Sequence, residues 1–255
     1  MKKAIPCAAM LLLACSLTAY AAEKREQTYR VGADVDAKGH ITATQVDPNV
    51  PASIAAVLNS AVKQWQFVPA TLSGRPVPAH TFIRTKLQAL PNASGQYDLR
   101  ISFMGNGPRL DNRTPPRYPA DALSRRQAAF LILDATVQPN GHLTDMKVSN
   151  KFADWPVPPS FKVAVLAAAK QWHAIPEQVD GQPVATQLRI PFIFTVDGQT
   201  YTAQQTRILR EAARMHAAAA DAETAQPAIP LPSEQEVALD SPLHPSAVAT
   251  ITNAP

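Results

Sequence analysis

The sequence predicts an α+β chain: two tandem two-layer ββαβ domains, each a small antiparallel sheet covered by a helix, plus a C-terminal helix and a disordered tail. Three observations predict it. The chain repeats itself, since Ala33, Val35, Gly39-His40, Thr42 and Val46 return as Ala135, Val137, Gly141-His142, Thr144 and Val148 at a constant offset of 102. Five more residues then enter the second copy, and Lys63-Gln64-Trp65, Pro69 and Gly74-x-Pro76-Val77 recur as Lys170-Gln171-Trp172, Pro176 and Gly181-x-Pro183-Val184 at an offset of 107. So long a period is a duplicated domain, not a solenoid. Within each copy the apolar period changes from two to about 3.6, the change from strand to helix. Glycines and prolines punctuate both copies at matching places.

Taken in order, residues 1–21 have the parts of an export signal: Lys2 and Lys3, an apolar stretch from Ala4 to Leu17, and Ala19-Tyr20-Ala21 as a small-x-small cleavage site. Cleavage gives a periplasmic chain beginning at Ala22. Two alternatives stay open. Leu12-Leu13-Ala14-Cys15 resembles a lipobox, which would anchor the chain by lipid at Cys15. An uncut leader would be an inner-membrane anchor, although Pro6 and Ser16 interrupt it and it falls short of the roughly 20 residues of a comfortable span. Both cysteines, Cys7 and Cys15, lie in this leader, so a chain cut at Ala21 has no disulfide and no thiol chemistry. Losing Lys2 and Lys3 lowers the formal charge from +4 to about +2, scattered along the chain, which argues against nucleic acid as a partner.

The first copy occupies residues 27–90. Tyr29, Val31, Ala33 and Val35 alternate with polar residues, Lys38-Gly39 turns, and His40 to Val46 returns, a β-hairpin. The second copy, residues 116–200, repeats it with Leu131, Leu133, Ala135 and Val137, the turn Asn140-Gly141, and His142 to Val148. A helix follows in each: Ile54, Leu58, Ala61 and Trp65, and equally Phe161, Val165, Ala168 and Trp172, recur on one face. That spacing assigns Trp65 and Trp172 to the core rather than to a stacked ligand. Pro51 and Pro158 stand near the helix starts, Pro69 and Pro176 beyond the ends. The third strands run from Ala79 to Leu87 and from Ala185 to Val196, and Pro191, lacking a ladder donor, places the latter at a sheet edge. Residues 91–115 read as a linker with an extra strand from Tyr97 to Met104, residues 201–223 as an alanine-rich helix, and the proline-rich residues 224–255 as a tail with too little to bury.

From Pro116 onward the second copy resembles the C-terminal domain of the TonB family of energy transducers. Pro116-x-Tyr118-Pro119-x-x-Ala122 matches that family's opening helix, and Lys170-Gln171-Trp172, Pro176, Gly181-x-Pro183-Val184 and Ile190-Pro191-Phe192-x-Phe194 match its later elements in order. Arg126 and Ala129 stand where the family usually carries glycines, and the first copy lacks the Tyr-Pro helix, so it reads as a diverged, partial repeat. The resemblance adds Tyr118 and Pro119 to the expected structural core. It implies a non-catalytic periplasmic protein linked to TonB-type envelope transport, which pairs with an extended segment of an envelope protein such as an outer-membrane receptor.

An edge strand recognises such a segment through backbone groups and alternate side chains. The candidate partner-binding residues are therefore Gln187, Leu188, Arg189, Ile190, Phe192 and Phe194. Two alternative functions are a structural or scaffolding envelope protein acting through domain packing and the tail, and a membrane-anchored energy transducer if the leader is retained. His40 and His142 follow the hairpin glycines without the spacing of a metal site, and Asp134, Asp145, Glu177 and Asp180 form no pair suited to acid-base work. No nucleophile motif or phosphate loop is present, so neither an enzyme nor a cofactor is expected. Membrane contact is expected only through the leader; the oligomeric state is not specified.

Overall fold

The computed structural model describes residues 25–92, 95–150, 157–195 and 236–253. The expected leader and the alanine-rich helix at 201–223 lie outside these residues. The fold is α+β, mostly strands with few helices. Its first part comprises β1 (Arg25–Val35), β2 (Ile41–Val46), α1 (Ala52–Val62), β3 (Gln66–Val68), the short β4 (Ala70–Leu72) and β5 (Arg75–Val77), and β6 (Ala79–Pro91). Two connecting strands follow, β7 (Tyr97–Gly107) and β8 (Arg109–Asn112), then α2 (Ala120–Ser124). The second part comprises β9 (Ala129–Val137), β10 (Leu143–Asn150), α3 (Pro159–Ala169), β11 (His173–Ile175), β12 (Gln178–Val179), β13 (Gln182–Pro183) and β14 (Thr186–Phe194). The C-terminal segment adds β15 (Val237–Ala238), β16 (His244–Ala247) and β17 (Ile251–Asn253).

In one sheet β6 lies between β1 and β7, with β2 on the far side of β1; in the other the order is β10-β9-β14-β15. The ladders share one register. Val35↔Ala79, Ala33↔Thr81 and Val31↔Ile83 in the first sheet answer to Val137↔Thr186, Ala135↔Leu188 and Leu133↔Ile190 in the second. Pro51 and Pro158 precede their helices with near-identical backbone angles, φ −52° in both. Each helix lays its apolar side on its sheet: Leu58, Ala61 and Val62 in one core, Phe161, Val165 and Ala169 in the other. The tryptophans sit just beyond the helix ends, and the tight turns Val62–Trp65 and Ala169–Trp172 still drive both rings inward, to 1% and 2% exposure.

Both hairpin glycines serve one contact. Gly39 and Gly141 have φ of +86° and +83°, and their carbonyls accept Phe67 N–H and Ala174 N–H at 2.9 Å each. A Cβ at Gly39 would lie 1.8 Å from Phe67 O, and one at Gly141 2.4 Å from Ala174 O, so only glycine fits the approach. Arg126 is held at φ +51°.

Two expectations need correction. Residues 91–115, read as a linker with an extra strand from Tyr97 to Met104, carry that strand on to Gly107 as β7 and add all of β8. The tail, read as having too little to bury, is built into the protein over residues 236–253: β15 joins β14, β16 joins β3 and β17 joins β7. Its order comes from distant slots rather than from local propensity. Leu243 is 1% exposed inside the first core, and the Trp65 indole donates to Ala249 O at 2.8 Å.

The tail's place has a counterpart. β16 lies on β3 with His244↔Val68, Pro245↔Phe67 and Ala247↔Gln66, and β8 lies on β11 with Arg109↔Ile175, Leu110↔Ala174 and Asn112↔His173, each ladder slipping at the same rung. The Trp172 indole donates to Thr114 O at 2.8 Å, as Trp65 does to Ala249 O. Residues 244, 245, 247 and 249 thus stand to the first part as 109, 110, 112 and 114 stand to the second.

Candidate functional site

β14 pairs with β9 along its whole length, Thr186 to Phe194. On its other side, among the described residues, β15 meets only Leu188 and Arg189, whereas β7 covers the corresponding side of β6 from Phe82 to Pro91. Gln187 O accepts Leu239 N–H at 2.8 Å, and Gln187 N–H donates to Asp240 Oδ1 at 2.6 Å, so the backbone of Gln187 faces outward. Alternate residues of an antiparallel strand turn both backbone groups to the same side, so Arg189, Pro191 and Ile193 face outward too. The missing N–H of Pro191 therefore removes nothing from the β9 ladder, and β14 runs unbroken through it.

The six candidate binding residues divide. Gln187 and Arg189 are exposed, but Leu188, Ile190, Phe192 and Phe194 are buried in the second core, as the alternation along the strand requires. Their side chains pack within that core, Phe192 against Trp172 and Phe194 against Phe161. Arg189 grips Asp134 across the ladder through Nε and Nη2, at 2.7 and 3.2 Å, and that hydrogen bonding raises its already high pKa. Tyr118 is half-buried: its ring lies 5.5 Å from Phe161 and 5.6 Å from Phe194, and its hydroxyl donates to Gln127 O. Pro119, also half-buried, precedes α2.

Two buried carboxylates join the parts here, and sequence reasoning gave a role to neither. Glu177, fully buried, accepts Thr81 Oγ1 at 2.6 Å from β6, Ser241 Oγ at 2.8 Å from the tail and Thr186 Oγ1 at 3.2 Å from β14. Burial pushes its pKa up; the three hydroxyls oppose that shift, and Asp240 adds to it. Glu236, 7% exposed, pairs with Arg30 and, at 3.3 Å, with Arg113, while its backbone carbonyl accepts the guanidinium of Arg84. The Arg113 guanidinium lies over the faces of Trp172 and Phe192, 5.2 and 5.8 Å from the ring centres. The run Glu236-Val237-Ala238-Leu239-Asp240, apolar residues between two acids, was the available signal for an ordered strand.

Residues 114–196, which contain β9 to β14, match the family described as Gram-negative bacterial TonB protein C-terminal. The matched region is a TonB C-terminal domain. A solution structure of the Pseudomonas aeruginosa TonB C-terminal domain is 23% identical to the chain, covers 36% of it and 90% of its own length, and superposes with a TM-score of 0.31. No curated protein matches the chain. Around the TonB C-terminal domain, no helix of the described residues is long and apolar enough to cross a membrane.

Proposed function

We propose that this chain is a non-catalytic periplasmic protein of the TonB C-terminal type that binds an extended segment of an envelope protein by pairing along the outer edge of β14, in the service of TonB-type envelope transport. Residues 27–90 and 116–200 are, in this reading, two copies of one ββαβ unit, the second being the TonB C-terminal domain. The observation that carries it is the shortness of the cover on that edge: two rungs on β14 against ten on β6 among the described residues. Backbone groups on an outward edge supply the affinity, and the exposed Gln187 and Arg189 supply the side-chain contacts.

A structural or scaffolding role is the second reading, favoured by the depth to which Leu243 and the residues beyond it are built into the first core. Photocrosslinkers at Gln187 and Arg189 in living cells separate the two. Capture of an envelope protein there, with none at Val163, which is 65% exposed on α3, is the expected result. Equal capture at Val163, or none at the edge, removes the edge-pairing function and leaves the scaffold.

A further inference from the structure

We propose that the segment Glu236–Ser241 is a resident occupant of the β14 edge which a partner must displace, and that the partner segment carries a carboxylate where Glu236 lies. This rests on the reading of β14 as the binding edge. Of the segment's three apolar residues only Ala238 packs against a core; Val237 is 50% and Leu239 45% exposed. It is held instead by a polar clasp, with the Glu236 carboxylate between Arg30 and Arg113, the Asp240 carboxylate on Gln187 N–H, and the Ser241 hydroxyl on Glu177.

With two ladder rungs and little buried apolar surface, the segment opens locally once another carboxylate can take the place of Glu236 between the arginines. The anchor beyond it is different. Leu243, β16, β17 and the Trp65–Ala249 bond hold the following residues to the first part, so the edge can clear while that part stays folded.

The clasp also specifies its occupant. The first position needs an anion, since guanidiniums from β1 and from the segment before α2 converge there, and charge-assisted pairs are among the strongest hydrogen bonds. Two residues on, Ala238 lies directly over Gly107, so close that a Cβ added at Gly107 would be 2.7 Å from Ala238 Cβ, and that close approach suits a small side chain. Two residues beyond that, an acceptor must reach Gln187 N–H, as Asp240 does. The partner segment is therefore an extended acidic peptide of the pattern acid-x-small-x-acid.

The test uses the full chain and a fluorescent peptide copying residues 235–242. Weakening the resident segment by Glu236→Gln, or independently by Asp240→Asn, should tighten peptide binding about tenfold, since apparent affinity scales with the fraction of chains whose edge is clear. A peptide with lysine at the first position should bind neither variant. A cooperative melting transition well above the assay temperature establishes that each variant is folded, and either one suffices. Peptide affinity that is unchanged in both variants, or equal for the acidic and lysine peptides, overturns the proposal. Tighter peptide binding with no envelope protein captured at Gln187 or Arg189 upholds the resident occupant and sinks the wider function. Capture that is equally strong in wild type and Glu236→Gln upholds the function and sinks the occupant.

Discussion

Ending the chain at Gln235 should unfold the first part, or come close to doing so. The deletion removes Leu243, whose full burial is worth about 2 kcal/mol by transfer bookkeeping. It leaves the buried Trp65 N–H without Ala249 O and takes one of three hydroxyl donors from Glu177, and a buried group left unpaired costs about 1–3 kcal/mol. The loss comes to roughly 5 kcal/mol, a large share of the 5–15 kcal/mol by which such proteins are stable. In a chain of this size it lowers the midpoint by about 10–20 °C. Thermal melting of the shortened chain beside the full chain, followed by near-ultraviolet circular dichroism, measures it. A midpoint within about 2 °C of the full chain would show that residues 236–253 add nothing to the cores, and the reasoning from Leu243 and Trp65 would be wrong.

Other consequences follow from single residues. Gly39→Ala should destabilise the protein by more than Gly74→Ala: both positions have positive φ, but a Cβ at Gly39 meets Phe67 O and one at Gly74 meets nothing within 4 Å, so chemical denaturation should show about 1–2 kcal/mol for Gly74 and a larger loss for Gly39. Because burial raises the folded pKa of Glu177 above the ordinary carboxylate value of 4.5, its contribution to stability is full below that value and is lost as pH rises through the folded pKa. Glu177→Gln should accordingly flatten the fall in melting midpoint as pH is raised from about 4.5 toward neutrality; an unaltered slope would assign that fall to other groups. Arg189→Ala should cost no more than about 1 kcal/mol, since the Arg189–Asp134 pair is half-exposed and screened, and urea titration is sensitive enough to show a larger loss if the pair carries more.

The parts of this fold that were legible in the sequence are those fixed by contacts a short distance along the chain. Gly39-His40 and Gly141-His142 mark turns because a close backbone approach demands glycine, and the prolines at 51 and 158 mark helix starts because their φ suits that place. Trp65 and Trp172 were readable as inward-facing from spacing alone. The tail was not readable, because Pro242 and Pro245 signal disorder while the surfaces that order the segment belong to β3, β7 and β14, all far away in sequence. The edge was half-legible: Pro191 pointed to an outward-facing side of β14, but nothing local revealed that Glu236, drawn in by arginines from separate elements, would bring the chain's own end onto it.

The reach of residues 244–249 back to β3 has a consequence for the order of synthesis. A chain emerging from its N-terminus displays β1 to β6 long before the strand that pairs with β3 and the carbonyl that receives the Trp65 indole have been made. Contacts of such sequence separation are slow to form, because the closure of the intervening loop precedes any reward. The matching slot on β11 waits for nothing comparable, since β8 and Thr114 are already present when β11 appears. The slot on β11 is thus the first that can be filled, and the slot on β3 stays open until residues 244–249 have been made, available during that interval to whatever chaperone or channel handles unfolded chain.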